Sequence, residues 1–340
     1  MTNFSVTPSS PVSAKQENYT LDNGTLDSDN SSWCYATDVE LAVISTFICV
    51  PCIFGLLGNA TVIWLLGFCM KRNPFTTYIL NLAVADFGVL VSLIPITASL
   101  VLYSNCIMPF VLPTLVGIVL FCFMFSMSQF LLTIISVDRC VSVLFPIWYR
   151  CHRPENLSTI LCALIWIFCF LVHGIGGTLD IFGMFEKPCI ILTVSLVDAV
   201  VCLPFISISS LILVIRFCFK TQQRRRGKLL MAILLALSFF LLFAFPLNVM
   251  NLVALLPLTS HDDFYGISIH DISVAYLCAS VNSFVNPLIY FLVGIKKGGL
   301  CKENVKLILQ RVFKQEEEVC GEELTSVSMT AQNCIGPSPN

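Results

Sequence analysis

Charge is what this chain has least of: 12% of its 340 residues are Asp, Glu, Lys or Arg, against roughly a quarter in an ordinary soluble domain. With 56% hydrophobic residues and a mean hydropathy of +0.86, the chain does not solvate its own surface, which excludes a soluble globular protein. It lacks any polar stretch long enough for a separate soluble domain, the longest being the N-terminal forty residues and the segment after Lys314. It also lacks a nucleophile with an adjacent base, a glycine-rich phosphate loop and paired carboxylates within one apolar run. No catalytic residue is assigned, and an enzyme is not expected. No His or Cys cluster has metal-ligand spacing, and no nucleic-acid partner is expected.

What the chain has is long apolar runs. A bilayer core about 30 Å thick takes about 20 apolar residues per helical crossing. Seven runs meet that length, at residues 43–68, 78–103, 109–137, 159–179, 190–219, 229–256 and 269–295. The predicted fold is an all-α membrane protein, a seven-transmembrane helix bundle occupying residues 41–296 in the lipid bilayer. Lys and Arg mark the cytoplasmic connections. Of the nineteen, only Lys15 and Lys187 stand elsewhere; the rest are Lys71 and Arg72, Arg139 to Arg153, Arg216 to Lys228 and Lys296 to Lys314. These are alternate connections plus the C-terminal side, which places the N-terminus outside a multi-pass plasma-membrane protein.

Residues 1–40 then form an extracellular tail, and Asn3, Asn18, Asn23 and Asn30 each open an N-glycosylation sequon on it. Asn59 and Asn156 fit the same pattern but fall in a run and on the inner side, where no glycan is expected. The opening residues lack the basic start and apolar stretch of a cleavable signal peptide, so the first run is expected to act as the uncleaved signal.

Eight of the seventeen cysteines lie in apolar runs, where a thiol behaves as a small hydrophobe. Cys34, Cys106 and Cys189 sit outside, so one disulfide leaves one thiol over. Spacing does not choose among the pairs; Cys106 with Cys189 is the preferred one. Residues 297–313 alternate Leu300, Val305, Leu307, Ile308, Val312 and Phe313 with basic residues. That pattern reads as a short amphipathic eighth helix along the membrane surface, with Cys301 a palmitoylation site. Residues 314–340 read as a flexible cytoplasmic tail, whose Thr325, Ser326, Ser328 and Thr330 stand near acids. Phosphorylated, they would offer charge to arrestin; a plain solvated tail is the alternative.

A charge in mid-run costs about 2.5 to 3.5 kcal/mol on insertion scales, so an ionisable residue there is a functional candidate. Asp86 is the sharpest case, far from either end of the second run and with no Lys or Arg in the middle of any run to pair with it. Asn59 in the first run, Ser128 in the third and Asn282, Ser283 and Asn286 in the seventh would supply an oxygen-rich cage for a sodium ion or water. A protonated Asp in a structural network is the other reading. The inner end of the third run carries Asp138-Arg139-Cys140, and that of the seventh carries Asn286-Pro287-Leu288-Ile289-Tyr290, where Pro287 removes a backbone donor and loosens its helix. A transporter with a buried acid would usually show internal repeats or broken helices; seven unpaired runs with these two motifs argue against it.

Gly58-Asn59, Leu82-Ala-Val-Ala-Asp86, Asp138-Arg139-Cys140, Trp166, Pro204, Pro246 and Asn286-Pro-Leu-Ile-Tyr290, one set per run in this order, resemble the rhodopsin-like (class A) G-protein-coupled receptors. Within that class, Arg72-Asn-Pro-Phe-Thr76 and Phe145-Pro-Ile-Trp-Tyr-Arg-Cys-His-Arg-Pro154 resemble the Mas-related receptor family. The resemblance covers all seven runs and not the tails. It implies a receptor that binds an extracellular ligand and activates heterotrimeric G proteins of the Gq or Gi type, with a multispan transporter or a non-signalling decoy as the alternative. It implies that Arg139 turns inward to meet the G protein, that Asp138 restrains it beforehand, and that Ile147 packs on the G protein. Pro246 would be the pivot of the sixth helix, Asn286, Pro287 and Tyr290 would carry the movement of the seventh, and sodium held by Asp86, Ser128, Asn282 and Asn286 would favour the inactive state.

The chain departs from the class in several places. Ala244 replaces the aromatic residue usual two positions before Pro246, and Phe243 or Phe245 is expected to substitute. Thr114 stands where the third run usually carries a Cys. Mas-related receptors often bridge the tops of the fourth and fifth helices, where this chain offers Cys189 but Asp180 opposite. Arg226 stands where many receptors carry an acid that locks Arg139, so appreciable basal activity is expected.

For the ligand, no Lys lies between Asp271 and Lys296, which excludes a retinal Schiff base. Phe121 and Cys122 occupy the place of the amine-binding Asp, which argues against a monoamine. The outer connections carry Asp22, Asp27, Asp29, Asp38, Glu40, Asp180, Glu186, Asp262, Asp263 and Asp271, a field that attracts a basic peptide or a small cationic ligand; a solvated acidic surface is the alternative. The two acids that relatives use for cationic peptides are absent, with Gly176 and Thr193 in their places. Phe121, Asp180, Asp198, Asn248, Asn251 and Tyr276 are the candidate pocket residues, with ordinary helix packing as the competing role.

Overall fold

The structure, a computed structural model, describes residues 28–70, 72–104, 111–154, 156–181, 189–219, 227–255 and 269–294. Among them every regular element is helical: α1 Ser28–Trp64, α2 Pro74–Ser104, α3 Val111–Leu144, α4 Pro146–His152, α5 Leu157–Cys169, α6 Gly176–Ile181, α7 Cys189–Phe219, α8 Gly227–Leu255 and α9 Ile269–Gly294. A π-helical turn, Leu65–Cys69, extends α1, and another, Phe170–Ile175, joins α5 to α6. The seven apolar runs thus become α1, α2, α3, the α5–α6 rod, α7, α8 and α9. The eighth helix at 297–313, with Cys301, and the tail at 314–340 lie outside the described residues, as do Asn3, Asn18, Asn23, Cys106 and Arg226.

Two features differ from the sequence reading. Helix α1 starts at Ser28, inside the segment 1–40 read as a tail, so Asn30 stands in its first turn. Hydropathy reports where a helix enters lipid and is blind to a polar extension beyond it. The short α4, between the third and fourth crossings, has no apolar run to announce it; Pro146 at its first position presets the helical φ.

The start of α2 shows how local sequence fixes an element. Asn73 precedes Pro74, and the Asn73 side chain accepts from the Thr76 backbone N–H at 2.7 Å while the Thr76 hydroxyl accepts from the Asn73 N–H at 2.8 Å. Two donors that a helix start leaves unpaired are satisfied reciprocally. The Asn-Pro-Phe-Thr sequence is therefore a helix start that sets Phe75 one step inside it.

Helix α1 packs on α2 and α9, α2 on α3, α3 on α7, α7 on α8 and α8 on α9, which closes the ring, while α5 sits against α2 and α3. The distribution of side chains is that of a protein dissolved in lipid. Phe47, Ile53, Phe54, Leu57, Ile94, Leu164, Phe205 and Leu242 face outward, and Asp86, Asn59, Ser128, Gln129, Asn282 and Asn286 are buried. With lipid tails as apolar as leucine, association rests on close packing and internal hydrogen bonds. Gly117 shows the closeness: a Cβ there would lie 2.9 Å from the Pro95 ring and 3.1 Å from the Ser92 carbonyl oxygen.

Because backbone cannot retreat as a flexible side chain does, Gly117→Ala is expected to destabilise the α2–α3 pair by about 1–3 kcal/mol. The measurement is a lowered thermal unfolding midpoint of the detergent-solubilised protein. Gly67, which has nothing within 4 Å of a Cβ, is the control, and Gly67→Ala should leave the midpoint unchanged or raised.

Candidate functional site

Asp86 lies at the centre of the bundle with 0% exposure. Its two oxygens are met from two other helices: Ser128 of α3 donates its hydroxyl to Oδ1 at 2.9 Å, and Asn286 of α9 donates its amide to Oδ2 at 2.7 Å. Of the residues grouped with Asp86 from sequence, these two make its hydrogen bonds, and the Ser283 side chain lies close to the carboxylate as well. Asn282 is buried beside them, but its Nδ2 has no hydrogen-bond partner.

Asn59 of α1 serves the backbone instead. Pro287 has no N–H to give the carbonyl four residues before it, that of Ser283. Asn59 Nδ2 donates to that oxygen at 3.0 Å, as well as to its own helix at Gly55. Gly58, the neighbouring residue, lets Pro287 close in, since a Cβ there would be 2.9 Å from the ring. The glycine, the asparagine and the proline are thus one joint between α1 and α9, and Tyr290 lies buried one turn further in.

At the inner end of α3, Asp138 is buried and has three partners. Arg139 Nη2 is 3.3 Å from Oδ2, Arg153 Nη2 is 3.0 Å from Oδ1, and the Tyr149 hydroxyl is 2.9 Å from both. Burial, and then the carboxylate facing it, push the Tyr149 phenol well above its ordinary range, so it remains a donor. The Arg139 guanidinium lies 4.3 Å over the Phe75 ring, a cation–π contact at the start of α2. Ile147 on α4 stands open with 71% exposure. Sequence reasoning singled out Asp138, Arg139 and Ile147 but not Tyr149, Arg153 or Phe75; the signal was the Phe145–Pro154 stretch, whose basic and aromatic residues have no role until α4 folds them under α3.

In the outer half, Phe121 stacks on Phe125 with centroids 5.5 Å apart and meets the Tyr276 ring edge-on at 5.1 Å. Two candidate pocket residues therefore touch, and Phe121, at 3% exposure, is mostly packing. Asn248 turns to α3, where its Nδ2 lies 3.4 Å from Gln129 Oε1. Phe243 stacks on Phe239 within its own helix. The side chains of Asp180, Cys189, Asp198, Ala244, Pro246 and Asn251 lie outside the described ones. His173 is buried in the π-helical turn. Trp166 donates its indole N–H to Asn81 at 2.9 Å, tying α5 to α2 beside an outward cleft of about 430 Å³.

A family model described as "7 transmembrane receptor (rhodopsin family)" matches residues 58–290. The chain is 34% identical over 268 residues to Proto-oncogene Mas of Rattus norvegicus, covering 77% of this chain and 81% of the relative. It is 36% identical over 297 residues to Mas-related G-protein coupled receptor member D of Macaca fascicularis, covering 83% and 88%. It is 34% identical over 291 residues to Mas-related G-protein coupled receptor member X1 of Homo sapiens, covering 84% and 87%.

Replacing Asn59 by Leu keeps the volume but strands the Ser283 carbonyl. Asn59→Leu is expected to cost about 1–3 kcal/mol, read as a lower thermal midpoint. The same midpoint for wild type and variant would mean that the proline-freed carbonyl has another donor.

Proposed function

Because this chain belongs to the rhodopsin family of seven-transmembrane receptors, and within it to the Mas-related group, we propose that it binds an extracellular peptide and activates a heterotrimeric G protein of the Gq or Gi type. It is a multi-pass membrane receptor and not an enzyme. The observation that carries the reading is Arg139, a cation at the inner end of α3 held between the Asp138 carboxylate and the Phe75 ring. A charge so placed has two resting contacts to exchange for a partner arriving from the cytoplasm.

In this reading the receptor is a two-state element, biased by ligand outside and by G protein inside, and the two affinities rise together because the coupling is reciprocal. Arg139 leaves Asp138 to meet the G protein. Ile147 offers an apolar side chain already in solvent, Pro246 bends the sixth crossing, and Asn286, Pro287 and Tyr290 carry the movement of α9. The N-terminus faces outward, as the Lys and Arg of the alternate connections require. Glu40 and Asp271, both exposed at the opposite end, belong to the acidic surface that draws a basic peptide or small cation.

The donor set around Asp86 fits a sodium ion. Ser128 and Asn286 bond to the carboxylate through hydrogens, which leaves their oxygens as hard ligands beside it, with the Asn282 side-chain carbonyl one more. Such an ion would neutralise the carboxylate and favour the arrangement that encloses it. Phosphorylated hydroxyls of 314–340 would recruit arrestin, and Cys301 would carry a palmitoyl chain.

Ligand-free inositol phosphate and cAMP responses of wild type and Arg139→Ala, at matched surface expression, test the reading. Wild type is expected to signal above empty vector, and Arg139→Ala to fall to the vector level. Silence of wild type in both pathways would remove the expected basal activity, and equal signals from the two proteins would count against Arg139 as the coupling residue.

A further inference from the structure

Asp138 is shared. Its Oδ2 faces Arg139 at 3.3 Å and its Oδ1 faces Arg153 at 3.0 Å, so the two guanidinium groups occupy different oxygens and do not compete for one place. Arg153 is built in rather than draped over. Its Nη2 donates to Ser158 Oγ in the first turn of α5 at 2.8 Å, its guanidinium stacks on the Tyr149 ring at 4.8 Å, and its side chain is 12% exposed. Tyr149 in turn bridges both carboxylate oxygens.

Two cations therefore surround one buried anion, and only one of them is needed to neutralise it. We propose that Arg153 is a positioning residue that keeps Asp138 paired when Arg139 withdraws, so that Arg139 leaves without stranding a buried carboxylate. This rests on the receptor reading for the purpose of Arg139's departure, but the sharing of Asp138 is a property of the chain alone. With Arg153 and Tyr149 in place, the bond between Arg139 and Asp138 is weakly coupled; with Arg153 gone, Asp138 depends on Arg139 and holds it tightly. Phe75, 4.3 Å beneath the Arg139 guanidinium, is its other resting contact.

A thermal double-mutant cycle on the full receptor in lipid nanodiscs tests this without ligand or G protein, so its failure is separate from failure of the signalling reading. The proteins are wild type, Arg139→Gln, Arg153→Gln and the double variant, followed by tryptophan fluorescence. Arg139→Gln is expected to shift the midpoint at least about twofold more in the Arg153→Gln background than in wild type, the non-additivity of residues that share a partner. An equal shift in both backgrounds would overturn the proposal, because a residue that only braces the loop leaves the Asp138–Arg139 pair as it was. In an Asp138→Asn background the difference should vanish, and its persistence would also overturn the proposal. Arg153→Lys, which keeps the charge, should restore the small wild-type shift; a shift as large as with Gln would refute a role for the charge. Where Arg153→Gln does not fold, Ser158→Ala, which removes only the anchor, takes its place with the same expected direction.

Discussion

A carboxylate at the centre of a lipid-dissolved bundle, with no cation among its described neighbours, is the constraint on which the arrangement depends. Asp86 has to be met by donors, and the donors come from α3 and α9. A buried polar group costs heavily when it is left unmatched, so the rotation of three helices about their axes is fixed together. Apolar contacts are forgiving of a small rotation, and a two-oxygen acceptor with one hydrogen bond on each oxygen is not. The same three helices carry the Arg139 region at one end and the Phe121–Tyr276 contact at the other, which makes the acid the common reference for both.

The joint beside it follows from one missing hydrogen. Pro287 frees the Ser283 carbonyl, and Asn59 takes it up across the bundle. A proline in the middle of a membrane helix is tolerated when neighbours satisfy what it releases, and here the neighbour is the helix that Gly58 allows to come closest. Helix α9 is thereby tied to α1 beside Pro287, while α2 and α3 are pressed together at Gly117 and Pro95.

Much of this was legible in the sequence, for identifiable reasons. Seven crossings and the isolation of Asp86 are read from hydropathy and charge because lipid imposes length and polarity residue by residue. Ser128 and Asn286 were legible as partners because polar residues are scarce in apolar helices, so few others were available. Arg153 and Tyr149 were hidden, since Lys and Arg in a loop ordinarily signal only the cytoplasmic side. Their roles arise from the turn made by α4, whose seven residues carry no hydropathic signature. The Gln129–Asn248 contact was hidden for another reason: a polar residue in an outer half-helix suits a ligand pocket and helix packing equally, and only the reach of Asn248 to α3 shows which it serves.

The turn at Phe170–Ile175 has a consequence for how this chain varies over generations. A π-helical turn holds about one residue more than the α-turn it replaces, so losing a single codon there would tighten it into ordinary helix with the segments on either side still in phase, where the same loss inside an α-helix would rotate everything beyond it by about 100°. Membrane helices rarely absorb a one-residue deletion without losing register along their whole length. This rod has a place where the change stops, so α6 keeps its face toward α3 and α7 while Trp166 and Asn81 keep their grip beneath it.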